Sequence, residues 1–330
     1  MRAAEMSVPP DEFETIARLF RPLTGGAPEA FGLMDDAAAI PSRPGHDLIV
    51  TKDALVAGVH FLEGDPPGLI ARKLLRTNLS DLAAKAAEPF AYFLAVSWPE
   101  SADWAYREAF AAGLAEDQAT YGVKLLGGDT TSTRGPLTAS VTLLGWTPSG
   151  RMVPRGGARP GDIVLVSGTI GDGGLGLEAA RGSLGLPASD VEWLAARYRL
   201  PEPRLTLRQA LRDHASAAAD VSDGLIADAG HIGDASGAGI EIDLDRLPLS
   251  APAAAWLARQ PDPAAARLHL ATAGDDYEVV CTARPEAADG LMAGANTPLT
   301  VIGRVVEGQG TKVFSGGLAV PVVSSGWRHR

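Results

Sequence analysis

Residues 147–162 read TPSGRMVPRGGARPGD. Glycine and proline recur throughout and no apolar periodicity survives, so neither a helix nor a strand is expected to pass through the stretch. The chain divides there. A boundary near residue 149 leaves 1–148 and 149–330, each of ordinary domain size. On the N-terminal side, Asp11 and Glu14 have the spacing of a capping box, and Phe13, Ile16, Ala17 and Phe20 follow at helical intervals. Short apolar runs at 48–50, 92–97, 123–126 and 138–145 predict strands, alternating with helices near 66–77 and 102–120. On the C-terminal side a strand at 163–167 leads through a glycine-rich turn into helices near 174–182, 189–199 and 204–213. A strand-like approach into Asp220, a helix over 225–235 and strands near 239–243, 277–282, 299–303 and 311–314 follow. The expected fold class is α/β (α+β) in two domains.

Composition narrows the function. Of 330 residues 46% are hydrophobic, which supports packed cores, and 29 basic against 40 acidic residues give a formal charge of −11. Such a surface repels a phosphate backbone, so nucleic acid is not the expected partner. No apolar run reaches the roughly 18–20 residues of a membrane-spanning helix, and MRAAEMSVPP lacks the apolar core of a signal peptide, so a cytoplasmic protein is expected. The single cysteine, Cys281, lies in the apolar run YEVVCTA and is expected to be a buried structural thiol.

Aspartates recur where apolar runs end: Asp53 after LIVTK, Asp129 after VKLLGG, Asp220 and Asp223 in AAADVSDG, and Asp275 and Asp276 in ATAGDDYEVV. Asp35 and Asp36 in GLMDDAAAI and Asp81 in TNLSDLAA join them. Aspartate is also the common residue of turns and helix caps, which accounts for any one of these positions alone. As a set, carboxylates brought together at strand ends repel one another unless cations neutralise them. Oxygen ligands without His or Cys pairs select hard cations such as Mg²⁺, which share their coordination sphere with substrate phosphates. Gly127, Gly128 and Gly224 would let backbone approach a phosphate.

Gly171, Gly173 and Gly176 in GTIGDGGLG satisfy the dinucleotide spacing G-x-G-x-x-G, but no second strand ending in an acidic residue follows about 20 residues on. They are expected to form a turn feeding a helix. No G-x-x-x-x-G-K-[ST] loop is present. His231 is expected to pack or cap within its helix, whereas His60, seven positions beyond Asp53, is a candidate for function.

In order, MDDAA, TKDALVAGVHF, NLSDLAA, LLGGDTT, RGGARPGD, VSGTIGD, YRLPEPR, DVSDGL and GDDYE resemble the thiamine-monophosphate kinase family, within the superfamily of aminoimidazole ribonucleotide synthetase and selenophosphate synthetase. The resemblance spans residues 11–328. It implies an N-terminal ATP- and Mg²⁺-binding domain that dimerises through a shared β-barrel (1–148), and a C-terminal α/β domain that completes the active site (149–330). Asp36, Thr51, Asp53, Asp81, Asp129, Asp220 and Asp223 would then hold several Mg²⁺ ions. Tyr121, Gly128, Asp129, Arg155 and Ser222 would contact ATP, and His60, Asp275 and Trp327 would contact thiamine phosphate. The implied reaction is direct in-line transfer of the γ-phosphoryl group to give thiamine diphosphate, by a homodimer. The acceptor phosphate is already anionic, so no general acid or base is expected.

Three residues depart from the family pattern: Met34 for Gly, Lys52 for Thr and Asp275 for Glu. Met34 would restrict backbone approach, Lys52 would crowd or replace a metal or bind phosphate, and Asp275 would shorten the reach to substrate by a methylene. A protein that binds phosphate ligands without turnover is the alternative they raise. Another enzyme of the superfamily is a second alternative. The selenophosphate branch commonly uses a reactive Cys or selenocysteine near its N-terminus, and no cysteine precedes Cys281.

Overall fold

The computed structural model describes residues 12–327. Asp11 of the expected capping box and residues 328–330 lie outside the described residues. The chain forms two compact units. The first comprises residues up to Pro44, Val50–Asn78 and Pro89–Gly145; the second comprises Gly45–Ile49, Leu79–Glu88 and the chain from Trp146 onward. Among the described residues no helix is long and apolar enough to cross a membrane.

In the first unit the N-terminal helix begins as α1 (Glu12–Thr15), widens into a π-turn over Ile16–Phe20 and tightens into a 3₁₀ turn over Arg21–Thr24. The strands β1 (His46–Val56), β2 (Glu88–Pro99), β3 (Lys124–Thr133) and β4 (Thr138–Pro148) form one sheet in the order β1-β4-β2-β3. It is open, with β1 and β3 at its edges, so one chain contains no closed barrel among its described residues. Alternation sorts the faces: Leu94, Val96, Trp98, Ala139, Val141 and Leu143 are buried, while Val50, Lys52, Ala54 and Ala95 on intervening positions are exposed.

Two helices, α2 (Pro67–Ala84) and α3 (Trp104–Tyr121), are joined by a buried charge. The carboxylate of Asp117, fully buried on α3, accepts from Arg72 Nε at 3.0 Å and from Arg76 Nε at 2.7 Å.

The second unit is built on a seven-stranded sheet in the order β11-β10-β7-β9-β5-β8-β6. Its strands are β5 (Ile163–Ser167), β6 (Ala217–Asp220), β7 (Gly239–Asp243), β8 (Val279–Ala283), β9 (Leu299–Val306), β10 (Thr311–Ser315) and β11 (Leu318–Val320). Helices α4 (Asp172–Ala180), α5 (Ala188–Arg199), α6 (Arg208–His214) and α7 (Leu225–Ser236) match expected ones. The central strand β5 is covered on both faces. Val164 and Val166 pack with Leu225 and Ile232 of α7, whereas Leu165 packs with Leu211 of α6 and Cys281 of β8. As expected, Cys281 is fully buried, and burial pushes its thiol up to about 12.

Three helices that periodicity does not reveal, α8 (Ala251–Leu257), α9 (Pro263–Thr272) and α10 (Ala288–Ala293), are short and rich in alanine. The starts of α8 and α9 do carry a signal. Ser250 accepts from the Ala253 amide, Asp262 accepts from the amides of Ala264 and Ala265, and each cap is followed by proline within two residues.

Candidate functional site

In the first unit the strands continue past their apolar runs, so Asp53 lies inside β1 and Asp129 inside β3, not at strand ends as expected. A strand is held by backbone bonds to its neighbour, and its exposed face needs no apolar side chains. Thr51 and Asp53 share one face of β1, two residues apart, and Lys52 projects from the opposite face, where Nζ lies 3.4 Å from Thr142 Oγ1 on β4. Lys52 therefore does not stand between the two presumed ligands. The Asp53 amide donates to Asn78 Oδ1 at 3.0 Å, and Asn78 is itself tied by Nδ2 to the Leu74 carbonyl at 2.9 Å.

A cavity of about 730 Å³ opens beside β3. Its wall includes the acidic residues Asp35, Asp36 and Asp129 and the apolar residues Phe13, Phe20 and Met34. Asp36 and Asp129, far apart in sequence, are thus brought to one space, whereas Thr51, Asp53, His60 and Tyr121 do not line it. Gly128 in its wall has φ +152°, and a Cβ there would fall 1.8 Å from the Leu94 carbonyl oxygen. Its glycine is required by strand packing, irrespective of any phosphate. Met34 has φ −110°, ordinary for any residue, so the position does not need the glycine of the family pattern.

Tyr121 ends α3 with the Arg76 guanidinium 5.5 Å from its ring centre. His60 Nδ1 accepts from the Val56 amide at 3.1 Å, which places the imidazole proton on Nε2, and its carbonyl accepts from buried Lys73 at 3.0 Å.

In the second unit three segments meet. Asp220 is the last residue of β6, and the loop 221–224 follows it into α7. The Asp275 amide donates to the Ser222 carbonyl at 2.9 Å, the Tyr277 amide to the Val221 carbonyl at 2.8 Å, and the Trp327 amide to the Asp223 carbonyl at 2.9 Å. Ser222, Asp223, Asp275 and Trp327 thus stand on adjoining backbone. Gly224 again answers to packing, since a Cβ would lie 2.8 Å from the Thr272 carbonyl oxygen.

Asp228, which no sequence pattern singles out, holds the loop from below. Its Oδ2 accepts from the amides of Ser222, Asp223 and Gly224 at 3.0, 3.1 and 3.2 Å. Burial and the neighbouring Asp223 push its carboxyl up to about 7, and the three amides oppose that shift. Asp223, Asp228 and His231 place one ligand atom each within 4.8 Å of one another. His231, expected to pack or cap, is exposed and so does not pack, because Leu225, Ala229 and Ile232 take the buried face of α7.

Lys85, one turn beyond Asp81, is the other residue missed. Its Nζ donates to the Ala218 carbonyl on β6 at 2.6 Å. Burial pulls its ammonium down to about 8, the charge of Arg155 adds to that effect, and Asp220 and Asp81 oppose it. A fixed cation therefore sits among three presumed site residues. No periodicity announces it; the one signal is a lysine inside an otherwise apolar helix end.

Fold and sequence together define an AIR synthase related protein. The family model for the N-terminal domain of that class matches residues 34–147, and that for its C-terminal domain matches residues 159–316. Within this class the chain belongs to the thiamine-monophosphate kinase family. It is 56% identical over 330 residues to the thiamine-monophosphate kinase of Caulobacter vibrioides, covering 99% of this chain and 93% of that one. Among solved structures, the thiamine-monophosphate kinase of Stenotrophomonas maltophilia K279a superposes with a TM-score of 0.81 at 39% identity, covering 93% of this chain and 97% of that one. A structure described as AaThiL complexed with AMPPCP and TMP superposes with a TM-score of 0.78 at 32% identity, covering 91% and 96%.

Proposed function

We infer that this chain transfers the γ-phosphoryl group of ATP to thiamine phosphate, giving thiamine diphosphate and ADP. The observation that carries the inference is the meeting of Asp35, Asp36 and Asp129 on one cavity beside Gly127 and Gly128. Such a wall is electrostatically incomplete until cations fill it, and a polyphosphate brings its own need for the same cations. The relative that holds AMPPCP and TMP supports ATP and thiamine phosphate as the pair.

The donor set fits Mg²⁺, since the exposed carboxylates of Asp36 and Asp129 are hard oxygen ligands. We assign Asp36, Thr51, Asp53, Asp81, Asp129, Asp220 and Asp223 to hold it. The metal would neutralise charge on the transferring group. Tyr121, Gly128, Asp129, Arg155 and Ser222 would bind the nucleotide, and His60, Asp275 and Trp327 the acceptor, His60 donating from Nε2. The division of labour is residues 1–148 for ATP, Mg²⁺ and dimerisation and 149–330 to complete the site. The exposed sheet positions Val50, Ala54 and Ala95 support a homodimer in which two open sheets close a barrel, and we place that dimer in the cytoplasm.

Purified protein with ATP and Mg²⁺ is offered thiamine phosphate or plain thiamine. Thiamine diphosphate from the first alone is expected by chromatography. No diphosphate product would overturn the assignment.

A further inference from the structure

The glycine-rich turn after β5 has no part in the proposed chemistry, yet one neighbour accounts for several of its glycines. A Cβ on Gly173 would lie 2.3 Å from the Asp275 carbonyl carbon, one on Gly174 would lie 2.4 Å from Ala273 Cβ, and one on Gly168 would lie 2.2 Å from Glu278 Oε1. Residues 273–278 therefore rest directly on residues 168–174. Side chains would lift the upper segment away.

Within that upper segment roles alternate. Asp275 and Tyr277 have φ of +67° and +51°, a conformation in which the side chain of a non-glycine residue crowds its own backbone. Asp276 and Glu278, at the alternate positions, are buried and fully engaged. Asp276 accepts the Gly171 amide on Oδ2 and the Gly173 amide on Oδ1, both at 2.8 Å. Glu278 accepts from Ser167 Oγ at 2.6 Å and from Arg204 Nε at 2.6 Å, with a second bond from Arg204 Nη2, and Arg197 Nη2 lies 3.4 Å from it. Arg197 Nη2 is also 3.4 Å from the Asp276 carbonyl. Relaxing the left-handed backbone at 275 would break bonds to a buried carboxylate that cannot exchange them for bonds to solvent. A buried carboxyl left without its hydrogen-bond partners costs more than the strain it holds.

We propose that Asp276 is a positioning residue, which by binding the Gly171 and Gly173 amides fixes Asp275 in its left-handed conformation and so sets affinity for the phosphate-bearing acceptor. The proposal rests on the assignment of Asp275 to that acceptor. An aspartate carries its carboxylate on a short stem with little freedom to compensate for a displaced backbone, so the placement matters more here than at a longer acid. The motifs VSGTIGD, YRLPEPR and GDDYE become one device: glycines that admit the loop, an arginine that clamps its far end, and two acids that hold it.

Steady-state kinetics of the full chain test this with D276N, D275A and the double variant. The carboxamide that D276N introduces turns its NH₂ group toward a backbone N–H, so one of the two bonds is lost. D276N is expected to raise KM for thiamine phosphate about tenfold and KM for ATP less than about twofold, and the double variant is expected to match D275A. A purely structural role would instead shift both KM values together and would add to the effect of D275A. That result, or an unchanged KM for thiamine phosphate in D276N while D275A raises it, overturns the positioning role alone. An unchanged KM in D275A overturns the assignment of Asp275 and the proposal with it. Should D276N fail to melt cooperatively, G173A presses a methyl on the Asp275 backbone while leaving the Asp276 carboxylate intact, and the same split between the two KM values decides.

Discussion

The cavity aspartates of the first unit and two buried aspartates of the second are the same residue used in opposite ways. Asp35, Asp36 and Asp129 stand exposed on a cavity wall, where solvent reaches their carboxylates. Asp276 and Asp228 are buried, each accepts two or more backbone amides, and each holds a loop that carries an assigned ligand. The first arrangement is unfinished without cations from solution. The second is finished before any ligand arrives, which is what a site needs where geometry has to be set in advance. Substitutions in the first region should therefore change chemistry without stability, and those in the second should change both.

The hardest blow to that contrast would come from Asp53. Asp53→Asn removes a proposed metal ligand but no core packing, so kcat is expected to fall on the order of 1000-fold, about 4 kcal/mol of transition-state stabilisation. Its thermal melt is expected to stay within about 2 °C of the parent. Near-normal turnover would contradict the ligand assignment, and a large loss of melting temperature would erase the distinction between the units.

Glu278 tests the other side. E278Q leaves the charges of Arg204 and Arg197 facing a neutral group in a buried setting. A loss of about 3 kcal/mol in urea unfolding, read as a lower midpoint at constant slope, is expected. If E278Q unfolds like the parent, the network is not what holds the second unit's loops.

A smaller effect is expected at Lys85, whose ammonium lies among Asp81, Asp220 and Arg155. K85M removes a fixed positive charge beside two proposed metal ligands and leaves them more negative. The Mg²⁺ concentration for half-maximal activity should fall by about threefold to tenfold. A rise would mean that Lys85 aligns the ligands and does not compete with the metal.

These residues also mark where sequence reasoning stops. Gly and Pro in 147–162 interrupt both periods, and most helices and strands are legible because their buried faces repeat. The ends of β1 and β3 are not legible, since the polar residues 51–53 interrupt β1 before Ala54, Leu55 and Val56 resume it, and past Gly128 β3 carries polar residues. The assignment of Leu79–Glu88 to the second unit is hidden too, because α2 runs on without a break from Pro67 to Ala84 while the unit changes within it. Glu278, Asp228 and Lys85 escape, and Asp276 stands out only as one aspartate of a set, because burial of a charge depends on partners that sequence order does not reveal, such as Arg204 for Glu278 and Ala218 for Lys85. The glycines of GTIGDGG stand out in the sequence, but their cause lies about a hundred residues on.

Lys52 is where the contrast predicts almost nothing, and that makes it a useful test. In sequence it sits between Thr51 and Asp53, and by adjacency alone it should displace a metal. A strand turns adjacent side chains to opposite faces, and the structure places Lys52 on the exposed face toward Thr142. The backbone of β1 stands between its charge and the presumed ligands, and the side chain points away from them. K52T should therefore leave kcat, both KM values and the Mg²⁺ requirement within about twofold of the parent, and stability within about 0.5 kcal/mol. Met34 leads to the same expectation, because its backbone makes no demand for glycine. Two of the three departures that suggest a binding protein without turnover then carry no weight, and the question narrows to Asp275. A shift of more than threefold in the Mg²⁺ requirement of K52T would show that the charge reaches across the sheet, and the first unit's carboxylates would then be less dependent on solution cations than their exposure implies.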